Sequence, residues 1–141
     1  MTENVIEVIS LLISVISLIS SAIVYINSRR IEKTMMLKEY YNEDNTLLMI
    51  RARQEIYKMS ELEISDLTSD DTSRALICSY YQFYAELYEK RIISRKEFER
   101  IFGNGAKRLF KKLKPYIYAR RIRDSDSYAD KYQKLVEEYL R

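Results

Sequence analysis

Polar side chains recur at a regular spacing within the first 28 residues, which are mostly aliphatic. Successive members are 3, 4, 3, 4 and 7 positions apart, and a period near 3.5 places them on one face of a helix. The members of this polar stripe are Glu7, Ser10, Ser14, Ser17, Ser21 and Ser28. In an apolar environment, serine hydroxyls hydrogen-bond to neighbouring helices, and a ring of carboxylates around a pore favours cations. The stripe is therefore a candidate for helix association or for a pore lining.

Three interpretations of the polar stripe stay open. The serines form a tight seam between copies of the helix, they line a wetted pore in a larger ring, or each is satisfied by its own helix backbone. Glu7 extends the stripe by one turn towards the outer end, where a carboxylate is also able to reach water at the membrane surface. We expect one of the first two, because polar groups inside a membrane generally face a partner or water.

A second set of chemically distinctive residues is basic. Eleven Lys or Arg and only two acidic residues lie between Arg95 and Arg123. Five of the basic residues share one broad face of a predicted amphipathic helix. The basic positions are Lys107, Arg108, Lys111, Lys112 and Lys114, and the opposite apolar positions are Leu109, Phe110, Leu113 and Ile117. Such a helix binds anionic lipid headgroups, RNA or a nucleotide messenger, or an acidic protein, unless it is an ordinary solvated face.

Arg120 and Arg121 extend this candidate partner-binding set. Both follow Pro115, where we expect the helix to kink or break, because proline lacks a backbone donor and its ring clashes with the preceding turn. A bend there would turn the two arginines away from the lysines. One of them would then be a buried structural ion.

The composition excludes most catalytic and metal chemistry. The chain has no histidine and one cysteine, Cys78, so histidine catalysis, histidine metal ligands, an internal disulfide and a cysteine zinc cluster are all ruled out. Residues 103–107 lack the spacing of a phosphate-binding loop, and Asp124, Asp126 and Asp130 lack the glycine and glutamate of a calcium loop. We therefore expect no enzyme activity, no catalytic residue, no metal site and no cofactor.

The polar stripe lies in a segment that is long enough to cross a bilayer. Residues 8–28 form an uncharged run of 21 residues, which as a helix spans roughly 30 Å, the thickness of the hydrocarbon core. A cleaved signal peptide begins with positive charge and ends in small residues, whereas this chain begins Met-Thr-Glu-Asn and the run ends at Arg29 and Arg30. We predict a permanent transmembrane helix over residues 5–28.

The flanking charges predict the orientation of this helix. No Lys or Arg precedes the span, whereas Arg29, Arg30, Lys33 and Lys38 follow it closely. Because positively charged flanks stay in the cytoplasm, the N-terminus should face outwards and residues 29–141 should form a cytoplasmic domain. A lone cysteine fits that reducing compartment. The membrane is thus the first predicted partner.

The cytoplasmic part is predicted to be all-α, with about five helices. Helical periodicity continues from the span to about residue 41, and capping residues then divide the rest of the chain. The predicted helices cover about 46–63, about 72–91, a short stretch from Ser94 to Gly103, a stretch beginning near Gly105, and about 128–141. Ser94 and Glu97 have the spacing of a capping box, which predicts the start of the short helix.

Aromatic residues are concentrated in the helix predicted over 72–91. Five apolar residues there recur at a spacing of three or four, which favours a core face over a base-stacking surface. These residues are Leu76, Tyr80, Phe83, Tyr84 and Leu87. The last helix has an apolar face of Tyr128, Tyr132, Leu135, Val136 and Tyr139. Cys78 is predicted to be a small buried hydrophobic residue.

Residues 72–141 and the N-terminal span together resemble a family of small bacterial single-span membrane proteins whose helical cytoplasmic domain has no known function. The residues that carry the resemblance are Tyr80–Ser94, Phe98, Ile101–Gly103, Leu113–Ile117, the Arg120-Arg121 pair and Tyr132–Leu140. The resemblance is a pattern of hydrophobic, glycine, proline and arginine positions. A tryptophan of the fifth helix is absent here, and Phe110 lies near its place.

The same layout is similar to the membrane accessory proteins of type VI-B CRISPR systems and to other small anti-phage membrane effectors. This resemblance implies a homo-oligomer in the bacterial inner membrane that permeabilises or depolarises it. Some relatives are described as RNase-like, with an Arg-x4-His motif. This chain has no histidine, so the resemblance does not extend to that activity.

Two functional expectations follow. The first is an oligomeric effector that opens the membrane when its cytoplasmic domain receives a signal, with a second defence-system protein as one potential source of that signal. The alternative is a membrane-tethered adaptor that holds RNA, a nucleotide or an acidic protein through the basic helix.

Overall fold

The computed structural model describes the backbone of residues 2–139 and the side chains of residues 4–138. Its α-helices are α1 (Thr2–Asp44), α2 (Leu47–Lys58), α3 (Glu61–Ser65), α4 (Thr72–Glu89), α5 (Arg95–Phe102), α6 (Gly105–Arg123) and α7 (Asp130–Lys134). A π-helical turn over Leu135–Tyr139 follows α7, and no strand occurs within residues 2–139. The predicted all-α class is confirmed. The chain divides into two compact units, and the division falls between Glu39 and Tyr40.

Helix α1 contains the apolar run. Every side chain from Asn4 to Met35 is exposed, including the aliphatic residues throughout the predicted span. Within residues 2–139, α1 is the one helix that is long and apolar enough to cross a membrane. Because exposed aliphatic surface is unfavourable in water, by about 25 cal/mol for each Å², this part of α1 needs an apolar environment or a partner.

The second unit has an aromatic core centred on α4, which packs against α2, α6 and α7. The rings of Tyr81 and Tyr132 stack with centroids 5.0 Å apart, and those of Phe98 and Phe102 lie 4.5 Å apart. The buried hydroxyl of Tyr132 donates a hydrogen bond of 2.6 Å to the carbonyl of Ala106. Tyr80, Tyr81 and Tyr84 of α4 therefore contribute mainly to the core as buried rings. The hydroxyl of Tyr84 donates to the carboxylate of Glu43, whereas the buried hydroxyl of Tyr80 has no hydrogen-bond partner among the described residues.

The buried face of α4 is rotated relative to the predicted one. Tyr80 and Tyr84 are buried, whereas Leu76 and Leu87 are half-buried and Phe83 is 51% exposed. The most deeply buried α4 residues are Arg74, Ile77, Cys78, Tyr81, Tyr84 and Ala85. Helix α4 has apolar residues on most of its own faces, so their spacing alone did not identify the face that the neighbouring helices cover.

The single helix predicted over 46–63 is two helices. Helix α2 ends at Lys58, and Ser60 begins α3 with a capping box, in which its hydroxyl accepts from the Glu63 amide and its own amide donates to the Glu63 carboxylate. These hydrogen bonds satisfy backbone donors that would otherwise lack partners at the start of α3. The same kind of capping box was predicted for Ser94 and Glu97, and there it is confirmed.

Two further boundaries refine the predictions. Pro115, where a kink or a break was expected, lies inside α6, which is continuous from Gly105 to Arg123, so the helix does not break there. Residues on both sides of the proline, including Leu113 and Tyr116, are fully buried, and this packing stabilises the helix across the lost hydrogen bond. Gly103 ends α5 with φ 55° and ψ −138°, which is a positive-φ cap outside the left-handed α region that was expected.

The C-terminal helix is shorter than predicted. Ala129 has a left-handed backbone, with φ 54°, and regular α-helix extends only from Asp130 to Lys134. Tyr132, Leu135 and Val136 are buried as predicted. The predicted apolar position Tyr139 lies outside the described side chains, and Leu140 and Arg141 lie outside the described residues altogether.

Candidate functional site

The polar stripe of α1 is fully exposed within its own unit. The hydroxyl of Ser14 donates to the carbonyl of Ser10, at 2.9 Å. For the described part of the chain, the hydroxyls of Ser10, Ser17 and Ser21 have no hydrogen-bond partner, and Glu7 has no ion pair. Among the described serines of the stripe, a hydrogen bond to the helix's own backbone is thus present at Ser14. The other hydroxyls remain available to water or to another helix.

The end of the predicted span carries an interlocked aromatic and basic pair. The guanidinium of Arg29 donates from Nε to the hydroxyl of Tyr25 at 3.1 Å and lies 5.4 Å from the centroid of its ring. Arg29 also lies 3.8 Å from the carboxylate of Glu32. An aromatic residue followed by arginine is typical of a membrane–water interface, where the ring is half in lipid and the charge is in water.

Four of the predicted basic residues form a basic face on α6, defined by Lys107, Arg108, Lys111 and Lys114. Lys107 is half-buried and the other three are exposed. Within the described residues, none of these four has an acidic side chain at ion-pair distance. The face therefore carries four positive charges that the chain does not neutralise by direct pairing. This is the arrangement expected for binding an anionic partner or for an ordinary solvated surface.

Apolar residues continue the line of the basic face towards the end of α6. Tyr118 and Ile122 follow Lys114 at steps of four residues, and they are 46% and 89% exposed. The ammonium of Lys114 lies 5.8 Å from the centroid of the Tyr118 ring. An exposed aromatic ring and an almost fully exposed isoleucine beside lysines give this side of α6 both an apolar and an electrostatic means of contact.

Lys112 does not belong to the basic face. Its ammonium donates to the carbonyl of Met59 at 2.6 Å, and Met59 is the C-terminal capping residue of α2. A positive charge at a helix C-terminus satisfies a carbonyl without an intrahelical partner and interacts favourably with the helix dipole. Lys112 therefore joins α6 to the end of α2, which a spacing argument on α6 alone could not reveal.

Arg120 is likewise engaged within the second unit. Its guanidinium lies 2.9 Å from Asp71 and 2.5 Å from Asp124, and 4.9 Å from the centroid of the Tyr128 ring. The hydroxyl of Tyr116 donates to the same carboxylate of Asp71, at 2.9 Å. Arg120 therefore connects α6 to the start of α4 and is a structural ion, the alternative considered for one of the arginine pair.

Arg121 also binds inside the unit instead of joining the basic face. Its Nε donates to the carbonyl of Tyr128 at 2.9 Å, and another guanidinium nitrogen donates to the side chain of Gln133 at 2.7 Å. These bonds hold the segment between α6 and α7 against α6. The sequence suggested that one arginine of the pair would be structural, and the structure gives both that role.

Arg74 is a buried charge that the sequence analysis missed. Its guanidinium donates to the carbonyls of Glu63, Ile64, Asp66 and Asp70 and to the hydroxyl of Ser69. It also lies 5.0 Å from the centroid of the Tyr116 ring. Arg74 has helical spacing with Ile77, Cys78 and Tyr81, and that was the available signal, because a charged residue in an apolar face must find polar partners.

A second missed cluster joins the last turn of α1 to the rest of the second unit. Asp44 is buried and lies 2.5 Å from the guanidinium of Arg53, which also donates to the Asp44 carbonyl. The hydroxyl of Tyr84 donates to the carboxylate of Glu43, and the rings of Tyr40 and Tyr84 meet edge to face at 5.1 Å. Burial raises the pKa of Asp44 although Arg53 opposes the change.

The buried thiol of Cys78 and the hydroxyl of buried Tyr116 remain protonated at neutral pH. Burial raises the pKa of the Cys78 thiol to about 12, so the thiolate needed for nucleophilic or redox chemistry is negligible at neutral pH. Burial likewise raises the pKa of Tyr116 to about 12. Among the described residues, no group of three or more histidine, cysteine or acidic side chains has the arrangement of a metal site.

Comparison with known proteins gives one match. A family model described as a domain of unknown function, DUF4760, matches residues 4–139. No curated protein and no solved structure matches the chain. The family match includes the polar stripe of α1, the basic face of α6 and the aromatic core around α4. Because it covers nearly the full length, the chain belongs to the DUF4760 family.

Proposed function

We propose that this protein is an oligomeric single-span membrane effector of anti-phage defence. In this proposal α1 crosses the bacterial inner membrane with its N-terminus outside, and copies associate through the polar stripe. A signal received by the cytoplasmic second unit changes the packing of the spans and permeabilises the membrane. The defence role is taken from the resemblance to small anti-phage membrane effectors.

The single observation that carries the proposal is the state of the stripe hydroxyls. Ser10, Ser17 and Ser21 lie on one face of an otherwise aliphatic helix, and their hydroxyls have no hydrogen-bond partner in the described part of the chain. In lipid, each unpartnered hydroxyl is unfavourable, whereas bonds between helices contribute about 0.6–2 kcal/mol each. Self-association or a water-filled lumen satisfies all of them at once.

Glu7 gives the proposed pore a selectivity. One carboxylate from each subunit, one turn outside Ser10, would form a ring of negative charge at the outer mouth. Such a ring attracts cations and repels anions, so a conducting assembly should depolarise the membrane by cation flow. The selectivity of this assembly is therefore a property of Glu7, whereas its formation depends on the serines.

The test is a double substitution of Ser14 and Ser17 with leucine, in cells in which the chain is induced. We expect loss of dye entry and of depolarisation, with membrane insertion unchanged, because leucine blocks the seam yet suits lipid. Ser20→Leu is the matched control, because Ser20 lies beside the stripe and its replacement should leave leakage intact. Full leakage from the double variant would refute the pore.

A second candidate function is a membrane-tethered adaptor that binds an anionic partner, RNA, a nucleotide or an acidic protein through the basic face. The observation that favours it is that Lys107, Arg108, Lys111 and Lys114 make no ion pair within the described residues, together with exposed Tyr118 and Ile122. Lys112, Arg120 and Arg121 take no part, since each is engaged in the fold.

Charge reversal distinguishes the adaptor from the effector. Replacing Lys107, Lys111 and Lys114 with glutamate should abolish recovery of the bound partner without any dependence on the serines. The control is glutamate at Arg51, Lys58 and Lys90, which changes the net charge equally at other exposed positions. Equal recovery by both triple variants would reject the adaptor. Growth arrest on overexpression of the wild-type chain alone would instead favour the effector.

A further inference from the structure

A pocket of about 460 Å³ lies where α4 turns into α5, and its lining includes no residue of the polar stripe or the basic face. It is lined by Tyr88, Glu89, Arg91, Ile93, Ser94 and Arg95. Its volume is within the range of about 300–1,000 Å³ that is typical of small-molecule sites. All six residues come from one short stretch, so the local turn forms the pocket without contributions from distant loops.

The charges around the pocket leave one guanidinium uncommitted. Glu89 is neutralised by Lys131 and Lys134, at 3.1 and 3.5 Å, and Arg95 pairs with Glu99 at 2.9 Å. The side chain of Arg91 has no hydrogen bond or ion pair within the described part of the chain. The pocket thus has the unpaired positive charge of Arg91 and the charge of Arg95, which a bound anion could share with Glu99.

The backbone at Arg91 also distinguishes this pocket. Arg91 has φ 58°, in the left-handed region that glycine adopts most easily. Its amide donates to the carbonyl of Tyr88, and the next amide donates to that of Leu87, as is usual after a helix end. Glycine would make this turn with less strain, so the arginine supplies something beyond the turn, and its charge is at the pocket.

The remaining walls complement a phosphate attached to a ring and a sugar. Ser94 is the N-cap of α5, and its capping box with the Glu97 carboxylate occupies that helix terminus. The anion-binding groups of the pocket are therefore the guanidinium groups of Arg91 and Arg95. Tyr88 and Ile93 provide an apolar and aromatic wall, and Glu89 provides carboxylate oxygens that accept from hydroxyl groups. Groups able to bind an anion, a ring and hydroxyls therefore line one pocket.

We propose that this pocket binds a nucleoside monophosphate, with its phosphate at Arg91 and Arg95, its ribose hydroxyls at Glu89 and its base against Tyr88. Binding would hold α4 and α5 together at their turn. The proposal is independent of the pore, because it concerns residues that neither the polar stripe nor the basic face contains.

The test is isothermal titration of the full chain in detergent micelles with AMP, GMP, CMP and UMP, and separately with inorganic pyrophosphate and adenosine. We expect saturable binding of at least one monophosphate, more tightly than either pyrophosphate or adenosine. Failure of all four monophosphates to bind would overturn the proposal. Pyrophosphate binding as tightly as the best monophosphate would overturn it too, in favour of simple anion attraction.

Two substitutions at Arg91 separate binding from folding. Arg91→Gln and Arg91→Gly both remove the charge, and each should weaken monophosphate binding about tenfold or more, the loss expected for a charge-assisted hydrogen bond. Arg91→Gly also relieves the positive φ, so its melting temperature should equal or exceed that of the wild type. The control, Lys96→Gln, removes one exposed charge outside the lining. Unchanged binding in both Arg91 variants would contradict the site.

Discussion

At the scale of single residues, Arg74 organises the loop between α3 and α4. Its side chain is fully buried, and no carboxylate accepts its hydrogen bonds, which go to four carbonyls and one hydroxyl. Removing the guanidinium would leave those acceptors buried without donors, which is more costly than the loss of an exposed ion pair. The loop has no other polar anchor of this extent among the described residues.

We therefore predict that Arg74→Met lowers the free energy of unfolding by about 3 kcal/mol or more. Urea unfolding in detergent micelles, followed by near-ultraviolet circular dichroism of the tyrosines, measures this change. Arg51→Met, at an exposed arginine of α2, is the control and should change stability by less than about 0.5 kcal/mol. If Arg74→Met lowers the free energy of unfolding by less than about 1 kcal/mol, the carbonyls have found other donors and the role given to Arg74 is wrong.

The lowered pKa of Asp71 predicts how the stability of the fold depends on pH. Burial would raise the pKa of Asp71, but the hydrogen bonds from Tyr116 and Arg120 outweigh it, so the pKa is lowered. A carboxylate whose pKa is lower in the folded state stabilises the fold above its unfolded pKa of about 3.9, and this contribution is lost as the pH falls through the folded value.

Thermal unfolding between pH 6 and pH 2 tests this dependence. The melting temperature of the wild type should fall on acidification, and Asp71→Asn should fall less, because its amide does not titrate. Asp126→Asn serves as the control, since Asp126 is exposed and has no ion pair or hydrogen bond within the described residues. Identical pH profiles for the wild type and Asp71→Asn would contradict the role of this carboxylate.

At the scale of helices, local signals predicted those boundaries that depend on local chemistry. The capping box at Ser94 and the stop at Gly103 depend on residues within one turn, and both occur. The box at Ser60 has equivalent residues, yet the apolar periodicity across it favoured one helix over 46–63. At Pro115 a kink or a break was expected, and the helix does not end there, because buried side chains on both sides stabilise α6 across it.

The Ser60 box has a measurable contribution to stability. Ser60→Ala removes the hydroxyl that accepts from the Glu63 amide, and should lower stability by about 1 kcal/mol. Ser79→Ala, at an exposed position within α4, should be neutral or slightly stabilising, because alanine is the better helix former. Comparison of the two melting temperatures with the wild type tests the cap. An equal effect of both substitutions would mean that the box contributes nothing to the boundary.

The basic helix shows why a candidate site is harder to predict than a helix. The spacing of Lys107, Lys111 and Lys114 identified a face, on which Lys111 and Lys114 are exposed and Lys107 is half-buried. Lys112, Arg120 and Arg121 do not belong to the basic face, because each has a partner elsewhere in the fold. The partners of Lys112 and Arg120 are distant in sequence: Met59 for Lys112 and Asp71 for Arg120. Helical periodicity gives the direction of a side chain, whereas the identity of what lies opposite depends on the tertiary fold.

At the scale of the whole molecule, the chain combines an exposed aliphatic helix with a separately packed aromatic unit. The second unit satisfies buried and half-buried charges internally, at Arg74, at Arg120 and in the pair of Asp44 with Arg53. In helix α1, the hydroxyl of Ser14 hydrogen-bonds to the helix backbone, but the neighbouring stripe hydroxyls have no hydrogen-bond partner in the described chain. The proposed function therefore depends on whether the polar stripe of α1 faces other copies of the same helix.

The mass and symmetry of the protein particle extracted in mild detergent test this most directly. The account predicts a discrete homo-oligomer with the serine faces of α1 turned towards the common axis, and its dissociation when Ser14 and Ser17 are replaced with leucine. A monodisperse monomer of the wild-type chain, or an oligomer that the double substitution leaves intact, would contradict it.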